Sequence, residues 1–316
     1  MRDLLTPKPF RGDALAAGVV TLVPAAALLA LQSGDAVPPG VRLGLLGLLW
    51  IWVTVLAWRA PVESSQPRRY QSVLFACSLL LALLAFAMLA RVSGSGAGLH
   101  DPGTLAWVLA ACALQAAVLA GARNSGVCTL VAAVALAAAL AGFVAHLHGR
   151  GAGAGIRWLL VAIAFAYAIN AVRLRDRHRR HAVAFTEAGG LALTGVAMTW
   201  TGRVLPVPGL SDLSPFHLVA THGPPGWGWS GLLLAAGFGL IAYGGVDHER
   251  GPVWIGALLL LQFCTLQAAG GLLGWPLVLL VAGVLLLVAA LRPTIEAPPE
   301  PGAGHDPAPP LRFPRA

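Results

Sequence analysis

Charge is scarce in this 316-residue chain: Asp, Glu, Lys and Arg make up 11% of it, against 57% hydrophobic residues. A water-soluble domain carries about one-quarter charged residues, because its surface faces water. The deficit excludes a soluble enzyme, an ordinary secreted domain and a disordered chain. Lysine is almost missing, with Lys8 standing alone against 20 arginines. That skew and the abundance of alanine point to a GC-rich bacterium rather than to any chemistry.

Cysteine is also sparse. Cys77, Cys112, Cys128 and Cys264 form no CxxC pair and fall inside apolar stretches. They argue against a disulfide framework or a zinc ribbon, and act as small apolar residues. Catalytic signatures are missing too. There is no Walker loop, GxSxG or HExxH, so neither an enzyme nor a cofactor is expected.

What remains is a series of long apolar runs. A bilayer core roughly 30 Å thick needs about 20 apolar residues per helical span. With that measure the chain predicts an all-α polytopic bundle of about ten spans. They run roughly 13–32, 41–59, 71–91, 103–122, 127–147, 156–173, 183–202, 228–246, 252–269 and 272–291. The runs are continuous and lack the alternation of an outer-membrane barrel strand. The first is longer than the h-region of a cleaved signal peptide and reads as a retained span.

The arginines set the orientation. With the N-terminus inside, 16 of the 21 basic residues face the cytoplasm and 5 (Arg42, Arg91, Arg150, Arg157, Arg203) face out. Cytoplasmic loops keep the excess of Lys and Arg, so both termini are expected inside, in a bacterial inner membrane. Trp107, Trp158, Trp200, Trp227, Trp229 and Trp275 then gather near the outer boundary, as interfacial tryptophans do.

Residues 1–292 form the bundle on this reading. The tail 293–316, with eight prolines, is a flexible cytoplasmic extension. The inner connection 173–180 reads RLRDRHRR. It has no interleaved aromatics, which argues against nucleic acid and for contact between Arg173–Arg180 and anionic lipid headgroups. The longest outer connection, 203–228, predicts a short surface helix over 215–222, with Ser214 as N-cap and Pro215 in the first turn.

Polar residues inside the spans are the candidate site. Glu187 is the one acid well inside a span, about 9 Å from the helix start, and an intramembrane carboxylate is a functional candidate by default. Asn170 lies at a similar depth on the preceding span and is a candidate partner. Thr194, Gln115 and Gln262 complete the set, with interhelical hydrogen bonding as the plainer role for each. Among the outer histidines, His146, His148, His217 and His222 are candidate metal or haem ligands. Their spacing is unfavourable: His146 and His148 lie about 200° apart on a helix, and His217 and His222 about 140°.

Ten spans permit a five-plus-five inverted repeat, although no internal similarity supports one. The reading favoured by the sequence is permease-like transport of a small apolar or amphipathic solute. A non-catalytic membrane subunit or scaffold, with a membrane-protein partner or as a homo-oligomer, is the alternative. An outer-face metal or haem protein is the third.

Overall fold

The computed structural model describes residues 12–32, 37–60, 69–94, 101–201 and 225–269, together with Leu280 and Gly283. The chain divides into two compact units, Met1–Leu272 and Leu273–Ala316. Of the second, Leu280 and Gly283 are described, both helical. The rest of the expected tenth span, the surface helix over 215–222 and the tail 293–316 lie outside the described residues.

Among the described residues the first unit holds nine α-helices and no strand. They are α1 (Gly12–Gln32), α2 (Pro39–Arg59), α3 (Arg69–Val92), α4 (Pro102–Arg123), α5 (Gly126–His148), α6 (Gly153–Leu174), α7 (Arg179–Thr201), α8 (Trp227–Asp247) and α9 (Arg250–Ala269). A single 3₁₀ turn, Gly149–Ala152, joins α5 to α6. Each helix falls within a few residues of an expected span. Seven of them, α2 to α8, are long and apolar enough to cross a membrane. At about 1.5 Å per residue, 21 to 24 residues reach the roughly 30 Å that a bilayer core demands.

Local chemistry stops and starts these helices where the sequence changes character. Pro39 opens α2, at a position whose N–H would have no helical partner anyway. Asp101 caps α4, its carboxylate accepting the Thr104 backbone N–H at 2.7 Å, and Pro102 follows in the first turn. Asn124 ends α4 in the left-handed region at φ 50°, and Ser125 caps α5 immediately after. Two residues therefore reverse the chain, and α4 and α5 run antiparallel.

The same economy repeats along the chain. The α2/α3, α6/α7 and α8/α9 pairs are also close hairpins, and α7 packs against α5 and α9 as well as α6. That makes α7 the central helix: 67% of its spanning window is buried, against 22% for α2 and α8. Small residues allow this density. Gly256 of α9 faces the Gly237 carbonyl of α8, and a methyl group there would lie 2.6 Å from that oxygen. Without a hydrophobic drive between helices in lipid, such backbone approach supplies the dispersion contacts that hold them together.

The outer surface of the bundle is apolar. Leu48, Leu114, Val172 and Trp254 are 68%, 68%, 74% and 73% exposed. In water each would forfeit the roughly 1.5–3 kcal/mol that burial of such a side chain returns; against lipid tails they need no partner. All four cysteines are free thiols on helices, with Cys112 and Cys128 buried.

Candidate functional site

The two ends of the bundle differ in chemistry, and side-chain contacts define each. At one end the turns between helices carry arginine. Arg175 pairs with Asp247 at 2.7 Å and Arg179 with Glu249 at 3.2 Å, tying the α6–α7 turn to the α8–α9 turn. Arg123 lies over the Trp58 ring at 5.2 Å, which brings in the end of α2. Gly126, opening α5, packs against Arg180. At the other end Trp229 meets Trp158 and Trp200, with centroids 5.0 and 5.6 Å away, and Arg157 stands over Trp200 at 4.4 Å. One end is thus rich in arginine and the other in tryptophan, with Trp58 at the first and Arg157 at the second.

The candidate polar residues lie on four helices: Gln115 on α4, Asn170 on α6, Glu187 and Thr194 on α7, and Gln262 on α9. Glu187 lies against α9: a side chain on Gly251 would overlap its carboxylate. Gly251 belongs to the first turn of α9, where unpaired backbone N–H groups make the helix end electropositive and attract an acid. Asn170, the suggested partner of Glu187, instead donates its amide to the Ala166 carbonyl at 2.8 Å, one turn back on α6. Thr194 is buried and donates to the Gly190 carbonyl at 3.0 Å. Gln262 is buried on α9.

Gln115 belongs to a different assembly. Its amide reaches the Ser78 hydroxyl at 3.5 Å, and that hydroxyl is 2.5 Å from Thr54 Oγ1. The chain Thr54–Ser78–Gln115 crosses α2, α3 and α4, as interhelical hydrogen bonding in a membrane should. Nearby, Gln71 of α3 donates to the carbonyls of Ala57 and Ala60, closing the end of α2.

Of the outer histidines, His146 rides over Gly103 beside Asp101. It and His148 occupy the last turn of α5, where a cation would meet the electronegative helix end. Hydrogen bonds from the Thr104 backbone and side chain hold the Asp101 carboxyl below the usual range. Among the described residues no three His, Cys, Asp or Glu side chains gather to hold a metal ion. His217 and His222 lie outside those residues.

Two grooves open on the side of the bundle. One, of about 490 Å³, lies between α6, α7 and α8 and is lined by Ala, Gly and Leu, with Thr186, Tyr243 and Arg175 at its basic end. The other, of about 610 Å³, lies between α4, α5, α6 and α7. Its walls are Ala110, Ala113, Leu114, Ala117, Ala132 and Leu136, and its basic end is polar, with Asn124, Thr129, His178 and His181. Phe185 lines both, its ring 5.5 Å from that of Tyr167. None of Glu187, Asn170, Thr194, Gln115 and Gln262 lines either groove.

The polar end of the larger groove is a constructed cluster that composition and motif reading missed. His181 Nδ1 is 2.6 Å from Thr129 Oγ1, and Nε2 is 2.6 Å from Asn124 Oδ1. Thr129 Oγ1 is also 3.1 Å from the Ser125 carbonyl. His178 stands edge to face with His181, centroids 5.9 Å apart. The one sequence signal for it is the three-residue spacing of His178 and His181 at a helix start, which puts both on one side.

Fold and surface together define a multi-pass helical membrane protein. Set against protein-family models, curated proteins and solved structures, the chain matches none.

Proposed function

We propose that this is a ten-span protein of a bacterial cytoplasmic membrane, with both termini cytoplasmic, that carries a small amphipathic solute along the groove between α4, α5, α6 and α7. One observation carries the reading: an apolar furrow of about 610 Å³ that ends in a hydrogen-bonded polar cluster at the arginine-rich end. Its size falls in the range of small-molecule sites, about 300–1,000 Å³, which pair apolar walls with a few placed polar groups. From Ala110 to Gly121 on α4 the furrow extends about 16 Å, roughly half the bilayer core.

By the positive-inside rule the polar end faces the cytoplasm. Exposed Arg173, Arg177 and Arg180 there suit anionic headgroups of the surrounding lipid. Glu187 takes a packing role, holding α7 to α9, rather than lining the path. The chemistry is binding and passage, with no covalent step.

Transbilayer movement of a fluorescent single-chain amphiphile in proteoliposomes tests the reading. The protein should accelerate it, and Ala117→Phe, which fills the furrow from an exposed position, should abolish the acceleration. Movement at the rate of protein-free vesicles would overturn the proposal.

A further inference from the structure

Independently of the groove, we propose that Arg157, at the tryptophan-rich end of the bundle, binds the phosphate of a membrane phospholipid. On the orientation proposed above, that lipid belongs to the outer leaflet. Arg157 is the fifth residue of α6, about 6 Å from the helix start. Trp200 is the penultimate residue of α7, and Trp229 the third of α8. Three helix ends therefore meet at the depth of the headgroup layer, which adds about 5–8 Å to each side of the hydrocarbon core.

The guanidinium is held on an edge and on a face. Its Nε donates to the Gly153 carbonyl at 3.1 Å, one turn back on α6. Its Cζ stands 4.4 Å from the Trp200 ring centroid. Trp200 is buried and braced by Trp229, which in turn packs against Trp158. A side chain fixed in this way has less rotamer freedom left to lose when it binds a ligand. A guanidinium keeps its charge at any physiological pH and carries five N–H donors. One is used. The four on the terminal nitrogens make no hydrogen bond and no ion pair among the described residues. They form the planar fork that meets two phosphate oxygens side by side.

Charge complementarity calls for an anion here. Arg175 and Arg179, at the opposite end, each have a carboxylate partner. Arg157 has none among the described residues, although it is half-buried. A partly desolvated cation without a counter-ion is costly, and a phosphate offsets that cost. The site opens towards lipid: Trp158 is 66% exposed, and Ala154, three residues before Arg157 and on the same side of α6, is exposed too. Lipid phosphates are concentrated at this depth, so the occupant comes from the leaflet. Arg91 provides the contrast. It lies exposed in the last turn of α3, with no ring or carbonyl holding its guanidinium among the described residues.

The test uses the full chain in maltoside detergent, with photoreactive p-benzoylphenylalanine in place of Ala154. Dioleoylphosphatidylglycerol and dioleoylglycerol, which share their chains and differ in the phosphate headgroup, are offered in equal amounts. Mass spectrometry of the adducts counts each. Capture of the phospholipid should exceed that of the diacylglycerol about tenfold, the scale of one charge-assisted hydrogen bond. Arg157→Gln should erase that excess and leave diacylglycerol capture unchanged, whereas Arg91→Gln should preserve it. Equal capture of the two lipids with Arg157 intact would overturn the inference, whatever the variants do. An excess that survives Arg157→Gln, or that Arg91→Gln removes as well, would overturn it too. Equimolar inorganic phosphate should leave the excess in place; its loss would assign the site to the free ion and overturn the lipid assignment.

Discussion

Replacing Gly256 with alanine tests the account of how the helices are held. The added methyl would lie 2.6 Å from the Gly237 carbonyl oxygen and 2.9 Å from Ile241 Cγ1. Ordinary contact begins near 3.4 Å, so about 0.8 Å must be found. The obstructing atom is backbone and cannot rotate away, so α8 and α9 must separate. A radial gap of that size forfeits about a quarter to a half of each dispersion contact along the seam, and overpacking of this kind costs about 1–3 kcal/mol. Gly239, on α8, is the control: nothing lies within 4 Å of a methyl there. Alanine at 239 should be neutral or stabilising, because glycine in a helix is worse than alanine by about 0.8–1.0 kcal/mol. Thermal unfolding in detergent, followed by tryptophan fluorescence, reads both. At about 2–4 °C per kcal/mol for a chain approaching this size, Gly256→Ala should lower Tm by several degrees and Gly239→Ala should not. Equal behaviour of the two variants would refute the close-packing argument.

Three further outcomes follow from named contacts. Gly251→Ala should destabilise in the wild-type background and be nearly harmless with Glu187→Ala, because the clash is with that carboxylate; a double-mutant cycle should return a coupling of about 0.5–3 kcal/mol. Asp101 has a folded pKa below its ordinary value, so its contribution is present at neutral pH and is lost as pH falls through that lowered value, below about 4. Wild type should therefore lose Tm relative to Asp101→Asn on acidification, while Asp101→Ala should cost about 1 kcal/mol of cap at neutral pH. Ser78→Ala, which removes the centre of the Thr54–Ser78–Gln115 chain, should cost about 1 kcal/mol in the same unfolding assay.

Helix positions were legible in the sequence because each span is a long hydrophobic run, and at some boundaries a second signal coincides with it. The hydrophobic run sets the length, and the structure adds the caps that fix the ends of α4 and α5, Asp101–Pro102 and Asn124–Ser125. Arginine and tryptophan placement likewise anticipated the two unlike ends, because both respond to the interface and not to particular neighbours. The site was far less legible. Glu187 stands out as an acid in a span, but its surroundings depend on Gly251, a residue with no side chain to announce a contact. Asn170 seemed its partner by depth alone, yet a short amide on a helix satisfies itself on the carbonyl one turn back. The groove and its histidines come from four helices, α4 to α7. Its walls are alanines, which carry no pattern until the helices are paired.

Photo-crosslinking with a single-chain amphiphile bearing a diazirine in its tail, in nanodiscs, tests the central claim most directly. Peptide mapping should place the label on α4 and α5, around Ala117 and Leu136, and on Tyr167 and Phe185, and Ala117→Phe should remove it. Label spread evenly over lipid-facing positions such as Leu48 and Leu147, and unchanged by Ala117→Phe, would contradict the account.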